Sequence, residues 1–344
     1  MRPGALLIRA DASVAIGTGH MMRCLALAHA WQDAGGQASF AVGEMPDALA
    51  SRFVSEGGEL LRIRAIPGSP QDAVETVAQA HRLRADWVVV DGDRFRSDFL
   101  ADVQAGGLRV ALIDDFADRE FFPANLIVNP NPGVDEKIYR QRAFLGPLLA
   151  GERYVLLRRE FRQSTERVEF REKNPRILVT LGGSDPENLT PRIAEAFMAW
   201  PGLQVTVVAG PGYNKLNELQ KTRADNYRVV HNPSNMGELM CNSDLAVIAA
   251  GGTLWELLAV GCVVLSYSRN PVQARVVRDL AGRGAVVDMG ETRSFEPAKL
   301  LSAIRELVSS SGRCLKMAKL GRALVDGLGA TRVVEAILRS GAQN

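Results

Sequence analysis

The sequence is short of nearly everything that would mark a metal centre, a nucleic-acid track or a membrane anchor. Its four cysteines, Cys24, Cys241, Cys262 and Cys314, stand far apart without metal-ligand spacing, so they read as free thiols in a reducing compartment. Basic and acidic residues nearly cancel, 41 against 39, and no basic stripe is interleaved with aromatics, which make up 6% of the chain. That leaves no signature of a nucleic-acid surface. No apolar run approaches the ~18 residues of a spanning helix, and the N-terminus turns polar at Arg9 and Asp11, too early for a signal-peptide core. A soluble cytoplasmic protein is expected. Low-complexity tracts are absent too.

What is present is core-forming material: 344 residues, 47% of them hydrophobic, enough for about two domains. In the first half, short apolar runs predict strands at 6–9, 38–42, 60–63, 87–90, 110–113 and 126–128. Amphipathic stretches between them, such as 71–83 and 97–104, predict helices. Alternation of this kind implies right-handed crossovers and a mostly parallel sheet. A charged segment follows, and a second series then predicts strands at 177–181, 205–209, 227–230, 245–248, 263–266 and 285–287. Its helices are expected at 189–200, 236–241, 254–260 and 272–281, and a helical tail at 297–338. The expected domains are therefore 1–158 and 176–344, joined by a linker at 159–175. Two doubly wound α/β units facing one another would enclose a cleft suited to a two-part substrate.

The corner organising the first half runs from Ile8-Arg9-Ala10-Asp11 through Gly17-Thr18-Gly19-His20 to Arg23. A strand feeds a glycine loop and a helix follows at once, so the backbone can approach a ligand while the helix N-terminus favours negative charge. The glycines invite a dinucleotide reading, with Glu44 as the ribose acid. Met22, however, stands where the third glycine belongs, and that reading is set aside. Asp11 can orient His20 or bind a sugar. Asp91 and Asp93 form a paired-carboxylate candidate, or simply cap backbone groups at a strand end. Asp114 and Asp115 follow another strand of the same sheet, and Arg23 can face a diphosphate or pair with an acid. His29 and His81 fall on helices as structural or solvated residues.

In the second half, one strand runs into Gly182-Gly183-Ser184-Asp185-Pro186, where glycine N–H groups can reach a ligand and Ser184 or Asn188 can cap the next helix. Another ends in Ala249-Ala250-Gly251-Gly252-Thr253, a corner suited to a diphosphate, with Glu256 one turn on as a ribose acceptor. A capped helix with a first-turn glutamate is the plainer alternative there. Asn270 and Gln273 open a helix as caps, or as amides for sugar hydroxyls and N-acetyl groups. His231 precedes the loop Asn232-Pro233-Ser234-Asn235-Met236, read as bordering the base, which brings Met236 into the nucleotide set.

These residues carry a resemblance. Arg9-Ala10-Asp11, Ile16 to Leu25, Ile113-Asp114-Asp115, Ala117-Asp118-Arg119, Tyr154 to Arg158, Leu181 to Pro186, Asp326-Gly327 and Gly329-Ala330 resemble the pseudaminic-acid pathway UDP-sugar hydrolases and the related spore-coat polysaccharide proteins. The resemblance implies a GT-B-like fold of two Rossmann-like domains, related to the UDP-GlcNAc transferase of lipid II synthesis. It implies metal-independent, inverting hydrolysis of a UDP-diacetamido-trideoxyhexose, with His20 as the catalytic residue. No cofactor is expected, and the partner is a UDP-linked amino sugar met by a monomer, with no nucleic acid and no membrane span. Helix-terminus electrostatics add that His20 should stay neutral near pH 7.

The sequence departs from the family where Asp91-Gly92-Asp93 replaces Asp-His-Tyr, where Glu152 replaces proline, at Leu254, and where Pro271 and Val272 split the Asn-Gln pair. The assigned substrate residues are Asp11, Gly17, Thr18, Gly19, Arg23, Asp91, Asn270 and Gln273. The nucleotide residues are Gly182, Gly183, Ser184, Met236, Gly251, Gly252, Thr253 and Glu256. A glycosyltransferase on the same scaffold and an idle nucleotide-sugar binder are the alternatives.

Overall fold

The computed structural model describes residues 3–13, 16–162, 170–198, 200, 202–221 and 226–341. The chain divides into two units, Met1–Arg159 together with Gly327–Asn344, and Glu160–Asp326.

The first unit runs β1 (Ala5–Ala10), α1 (Gly19–Asp33), β2 (Gln37–Val42), α2 (Asp47–Ser55), β3 (Glu59–Arg62), α3 (Pro70–Leu83) and β4 (Ala85–Asp91). It continues with α4 (Ser97–Ala105), β5 (Arg109–Ile113), β6 (Leu126–Asn129), α5 (Glu136–Gln141) and β7 (Leu148–Ala150). All pairings are parallel, in the order β3-β2-β1-β4-β5-β6-β7. Strand β4 is buried along its length except at Asp86, as a parallel strand covered on both faces by helices must be. The helices carry local start and stop signals. Ser69 accepts from the Asp72 N–H at 3.2 Å, Pro70 opens α3 with its φ already set, and Arg84 ends it in the left-handed region at φ 57°.

Helix α6 (Arg159–Arg162) leads to the second unit: β8 (Arg176–Thr180), α7 (Thr190–Met198), β9 (Gln204–Ala209), α8 (Leu216–Lys221), β10 (Tyr227–His231) and α9 (Met236–Cys241). Then come β11 (Leu245–Ala249), α10 (Gly252–Ala259), β12 (Val263–Ser268), α11 (Pro271–Gly282), β13 (Val286–Glu291), α12 (Pro297–Val308) and α13 (Ser311–Leu324). This sheet is also parallel, ordered β10-β9-β8-β11-β12-β13.

Each sheet reverses its strand order once, between β1 and β4 in the first and between β8 and β11 in the second. Loops leaving the carboxyl ends of such neighbours diverge to opposite faces and open a crevice there, where doubly wound folds bind ligands. The His20 loop follows β1 and Asp91 ends β4. Gly182-Gly183 follows β8, and Gly251-Gly252 follows β11.

The structure differs from the sequence reading at the end of the chain. The final helix α14 (Gly329–Gly341) belongs to the first unit, so the second unit ends at Asp326 rather than at 344. Periodicity predicts the helix but cannot say where its apolar stripe docks. Ala330, Val333, Val334 and Ile337 join the cluster that holds Leu25 and Ala28 of α1. Gly329 makes this possible, because a Cβ there would lie 2.1 Å from the Val155 carbonyl oxygen. Two of the motifs behind the resemblance, Tyr154-Val155 and Gly329-Ala330, are thus packing partners. Of the expected linker, Arg159–Arg162 is helical, and 163–169 lie outside the described residues. The short strand β7 was not foreseen, since three residues carry no readable period. Among the described residues, no helix is long and apolar enough to cross a membrane.

Gly329→Ala should destabilise the protein by about 1–3 kcal/mol through overpacking. Gly252→Ala, where a Cβ would meet nothing within 4 Å, should leave stability within about 0.5 kcal/mol or raise it slightly. Urea unfolding of the two variants checks the contrast.

Candidate active site

Helix α1 presents His20, Arg23 and Cys24 at i, i+3 and i+4, hence on one face. That face meets the end of β4, because β1 and β4 pair with Ala10 opposite Asp91. The loop between β1 and α1 is closed by the Gly17 N–H donating to the Ser13 carbonyl at 2.8 Å, with Gly17 at φ +80°. Thr18 is the N-cap residue, though its side chain makes no capping bond. Of this loop, residues 14 and 15 lie outside the described set.

The Asp91 carboxylate is fully buried and surrounded by donors. His20 Nδ1 lies 2.7 Å from Oδ1, Arg23 Nη2 donates to Oδ1 and Arg23 Nε to Oδ2 at 2.6 Å each, and the Cys24 thiol donates to Oδ2 at 3.5 Å. Burial alone would push the Asp91 pKa up; the charges and hydrogen bonds of Arg23 and His20 outweigh it and hold the carboxyl well below the usual range. An ionised carboxylate only accepts, so His20 presents a proton on Nδ1 to Asp91, and in the neutral imidazole the Nε2 lone pair is left free. This is the base-and-orienter geometry of a histidine general base.

Asp91 rather than the helix terminus dominates the titration of His20, in the opposite direction to the one expected from the helix end. The Asp91 charge raises its pKa above the ordinary 6.5, against burial and Arg23, which lower it. A full charge at hydrogen-bond distance outweighs the roughly half charge of a helix end. Arg23 spans two strand-end acids, since its Nη1 also donates to Asp115 at 2.9 Å. Asp114 is held by a different set of partners. It is buried, accepts from Arg119, from the Tyr139 hydroxyl at 2.7 Å and from the Ala117 N–H at 3.0 Å, and shapes the loop that carries Asp115.

Asp11 does not orient His20. Its Oδ1 accepts from Arg9 at 2.7 Å and from the Gly43 and Glu44 N–H groups at 2.7 and 3.1 Å, tying β1 to the loop after β2. Its Oδ2 is buried without a partner. Gly92 stands at φ +141°, and a Cβ there would lie 3.1 Å from Phe95, so the position suits glycine. Asp93 is exposed. His29 is buried near Glu56, His81 Nε2 lies 2.9 Å from the Gly106 carbonyl oxygen, and His231 is exposed, so none of the three joins His20.

The second unit holds its own glycine corners. At the start of α10 no side chain caps the helix, and a Cβ on Gly251 or Gly252 would meet nothing within 4 Å. Packing therefore does not demand these glycines, and open space lies before a helix end whose first N–H groups lack intrahelical partners. Thr253 and Glu256 follow, both half-buried. After β8, Gly210 packs so closely that its Cβ would lie 2.5 Å from the Gly183 Cα, and the Gly212 N–H donates to the Gly183 carbonyl at 2.8 Å. Ser184 is half-buried, and neither it nor Asn188 caps α7. That bond belongs to Asp185, which accepts from the Thr190 N–H at 2.8 Å, while Asn188 accepts from Tyr213. Asn270 caps α11 through the Gln273 N–H, and the Gln273 side-chain oxygen accepts from the Arg269 N–H, each at 2.9 Å. Met236 opens α9, half-buried.

No protein-family model matches the chain. The spore coat polysaccharide biosynthesis protein SpsG of Bacillus subtilis is 28% identical over 234 residues, 65% of this chain and 68% of SpsG. The UDP-2,4-diacetamido-2,4,6-trideoxy-beta-L-altropyranose hydrolase of Campylobacter jejuni is 26% identical over 291 residues, 82% of this chain and 98% of the hydrolase. The chain is a relative of SpsG and of this hydrolase. An uncharacterised protein of Methanocaldococcus jannaschii is 25% identical over 285 residues, 80% of this chain but 57% of that longer relative. Among solved structures, the UDP-GlcNAc 2-epimerase of Neisseria meningitidis matches with a TM-score of 0.67 at 13% identity, over 98% of this chain and all of that one. MurG of Acinetobacter baumannii matches at 0.67 and 16% identity, over 98% and 99%. These likenesses give the fold, which is GT-B-like.

Sequence reasoning missed that Asp91 and not Asp11 holds His20, and that Arg23 joins Asp91 to Asp115. The folded protein holds a proton on His20 that the unfolded chain releases near pH 6.5. Its stabilising contribution is therefore fully present below that pH and fades as pH rises through the folded pKa. An NMR titration of the imidazole should give a pKa above 6.5 in the wild type and a lower one in Asp91→Asn. Equal values in the two proteins would contradict the pairing.

Proposed function

We propose that the chain is a UDP-sugar hydrolase that cleaves a UDP-diacetamido-trideoxyhexose at the anomeric C–O bond, with inversion and without a metal. The observation that carries the reading is the buried Asp91 carboxylate oriented on His20 Nδ1. Nε2 takes a proton from water, the water oxygen bonds to the anomeric carbon, and the C–O bond to UDP breaks with its electron pair leaving on the diphosphate. A single displacement by water inverts the centre. The imidazolium formed is stabilised by Asp91, which stays ionised throughout.

In this reading, Gly251, Gly252 and Thr253 hold the diphosphate and Glu256 the ribose. Gly182, Gly183, Ser184 and Met236 complete the nucleotide set. The free amide NH2 groups of Asn270 and Gln273 suit the acetamido carbonyls, since their oxygens are engaged as caps. Gly17, Thr18, Gly19, Arg23 and the unpartnered Asp11 Oδ2 are assigned to the sugar side. The Campylobacter relative is named for this hydrolysis, and that name supports the substrate class.

MurG shares the fold, so a glycosyltransferase in which His20 deprotonates an acceptor hydroxyl is the second reading. An idle binder has no use for an oriented base. UDP release from UDP-diacetamido-trideoxyhexoses in buffer alone separates the readings. The hydrolase releases UDP without any acceptor, and His20→Ala lowers kcat by about 100- to 10,000-fold while UDP affinity is kept. Release that needs an added acceptor would favour the transferase, and tight UDP binding without turnover of any sugar would favour the binder.

A further inference from the structure

Arg269 leaves the carboxyl end of β12 and turns its guanidinium sideways across the sheet. Its Nη2 donates to the Leu181 carbonyl oxygen just beyond β8. Strand β11 lies between β8 and β12, so the side chain passes over the end of β11, from which Ala249-Ala250 leads into Gly251-Gly252 and α10. The small residues beneath leave room for it. On the far side, a Cβ on Gly182 would lie 3.6 Å from Arg269 Nη1, and Gly182 sits at φ +84°, a conformation glycine adopts without strain.

The charge on this guanidinium is under-compensated. The acid in its reach is Asp185, whose Oδ1 lies 3.8 Å from Nη2, too far for a good hydrogen bond, and whose Oδ2 is already committed to the Thr190 N–H. Arg269 Nε is buried and has no hydrogen-bond partner, and Asp185 Oδ1 is buried without one as well. A guanidinium offers five N–H donors, and among the described residues one of them is matched to a protein acceptor. Burial lowers the Arg269 pKa, and the charges of Asp185 and Glu187 do not offset it. A half-buried cation anchored at one end with donors to spare costs the folded protein stability unless an anion completes it. The uncapped N-terminus of α10 lies at the end of the strand it crosses, so two sources of positive potential converge on one spot.

We propose that Arg269 is a phosphate-binding residue, donating through Nη1 to the diphosphate of a nucleoside diphosphate held at the switch point of the second sheet. The inference rests on the nucleotide reading of that unit. The Leu181 bond fixes the guanidinium in place, so little side-chain freedom is lost when the anion arrives, which is the advantage of a pre-organised arginine over lysine at a phosphate contact.

The test is calorimetric titration of the full-length protein with UDP, uridine and inorganic pyrophosphate, for wild type, Arg269→Gln and Arg269→Lys, with thermal unfolding of each. Arg269→Gln should weaken UDP and pyrophosphate by about 10- to 100-fold and leave uridine within about 2-fold, and Arg269→Lys should recover part of the loss. UDP affinity unchanged in Arg269→Gln, or UDP and uridine weakened in parallel, would overturn the inference and leave the nucleotide reading standing. Wild-type protein that binds pyrophosphate through Arg269 but not UDP would keep the anion site and overturn the nucleotide reading. Binding of neither would overturn both.

Discussion

The structure of the first unit's site depends on one buried negative charge. Asp91 has no exposure to water, and taking one partner away from such a group costs about 3–5 kcal/mol. Its oxygens are satisfied from a single helix face, by His20, Arg23 and Cys24. That arrangement fixes the rotation of α1 about its axis, the tautomer of His20 and the position of Arg23. Arg23 in turn fixes Asp115, and the network of Asp114, Arg119 and Tyr139 holds the loop that delivers Asp115. Stability and chemistry are linked here, because the bonds that keep a carboxylate ionised inside the protein also make the imidazole a stronger base.

The two units reach the same solution by different means. Both are parallel sheets that reverse strand order at a central pair, and both put their distinctive residues on the loops leaving that pair. In the first unit the crevice end carries side chains that ionise. In the second it carries glycines, an uncapped helix and one anchored guanidinium, all of which favour an anion over proton transfer. A diphosphate-linked sugar asks for both sets of properties.

Much of the fold was legible because its strands are continuous apolar runs bounded by polar turns, and Val88 to Val90 or Leu245 to Ala249 allow little else. Docking was not legible. The stripe on α14 suits any apolar surface, and only Gly329 against Val155 shows which one it meets. At the site, the spacing of His20, Arg23 and Cys24 gave a shared helix face. Nothing local pairs that face with Asp91, 71 residues on, because the pairing arises from the register of β1 against β4. Asp11 stood nearer in sequence and was drawn instead to Arg9 and two backbone N–H groups, the stronger set of donors. Local rules also favoured Ser184 or Asn188 as the cap of α7, but the cap is Asp185.

In the proposed reaction a water activated by His20 attacks the anomeric carbon. Turnover of a UDP-diacetamido-trideoxyhexose in water enriched in oxygen-18, followed by mass spectrometry of both products, tests it most directly. Attack at the anomeric carbon places one heavy oxygen in the free sugar and none in UDP. Heavy oxygen in UDP would mean that water attacks phosphorus, and the assignment of His20 to the anomeric carbon would fall.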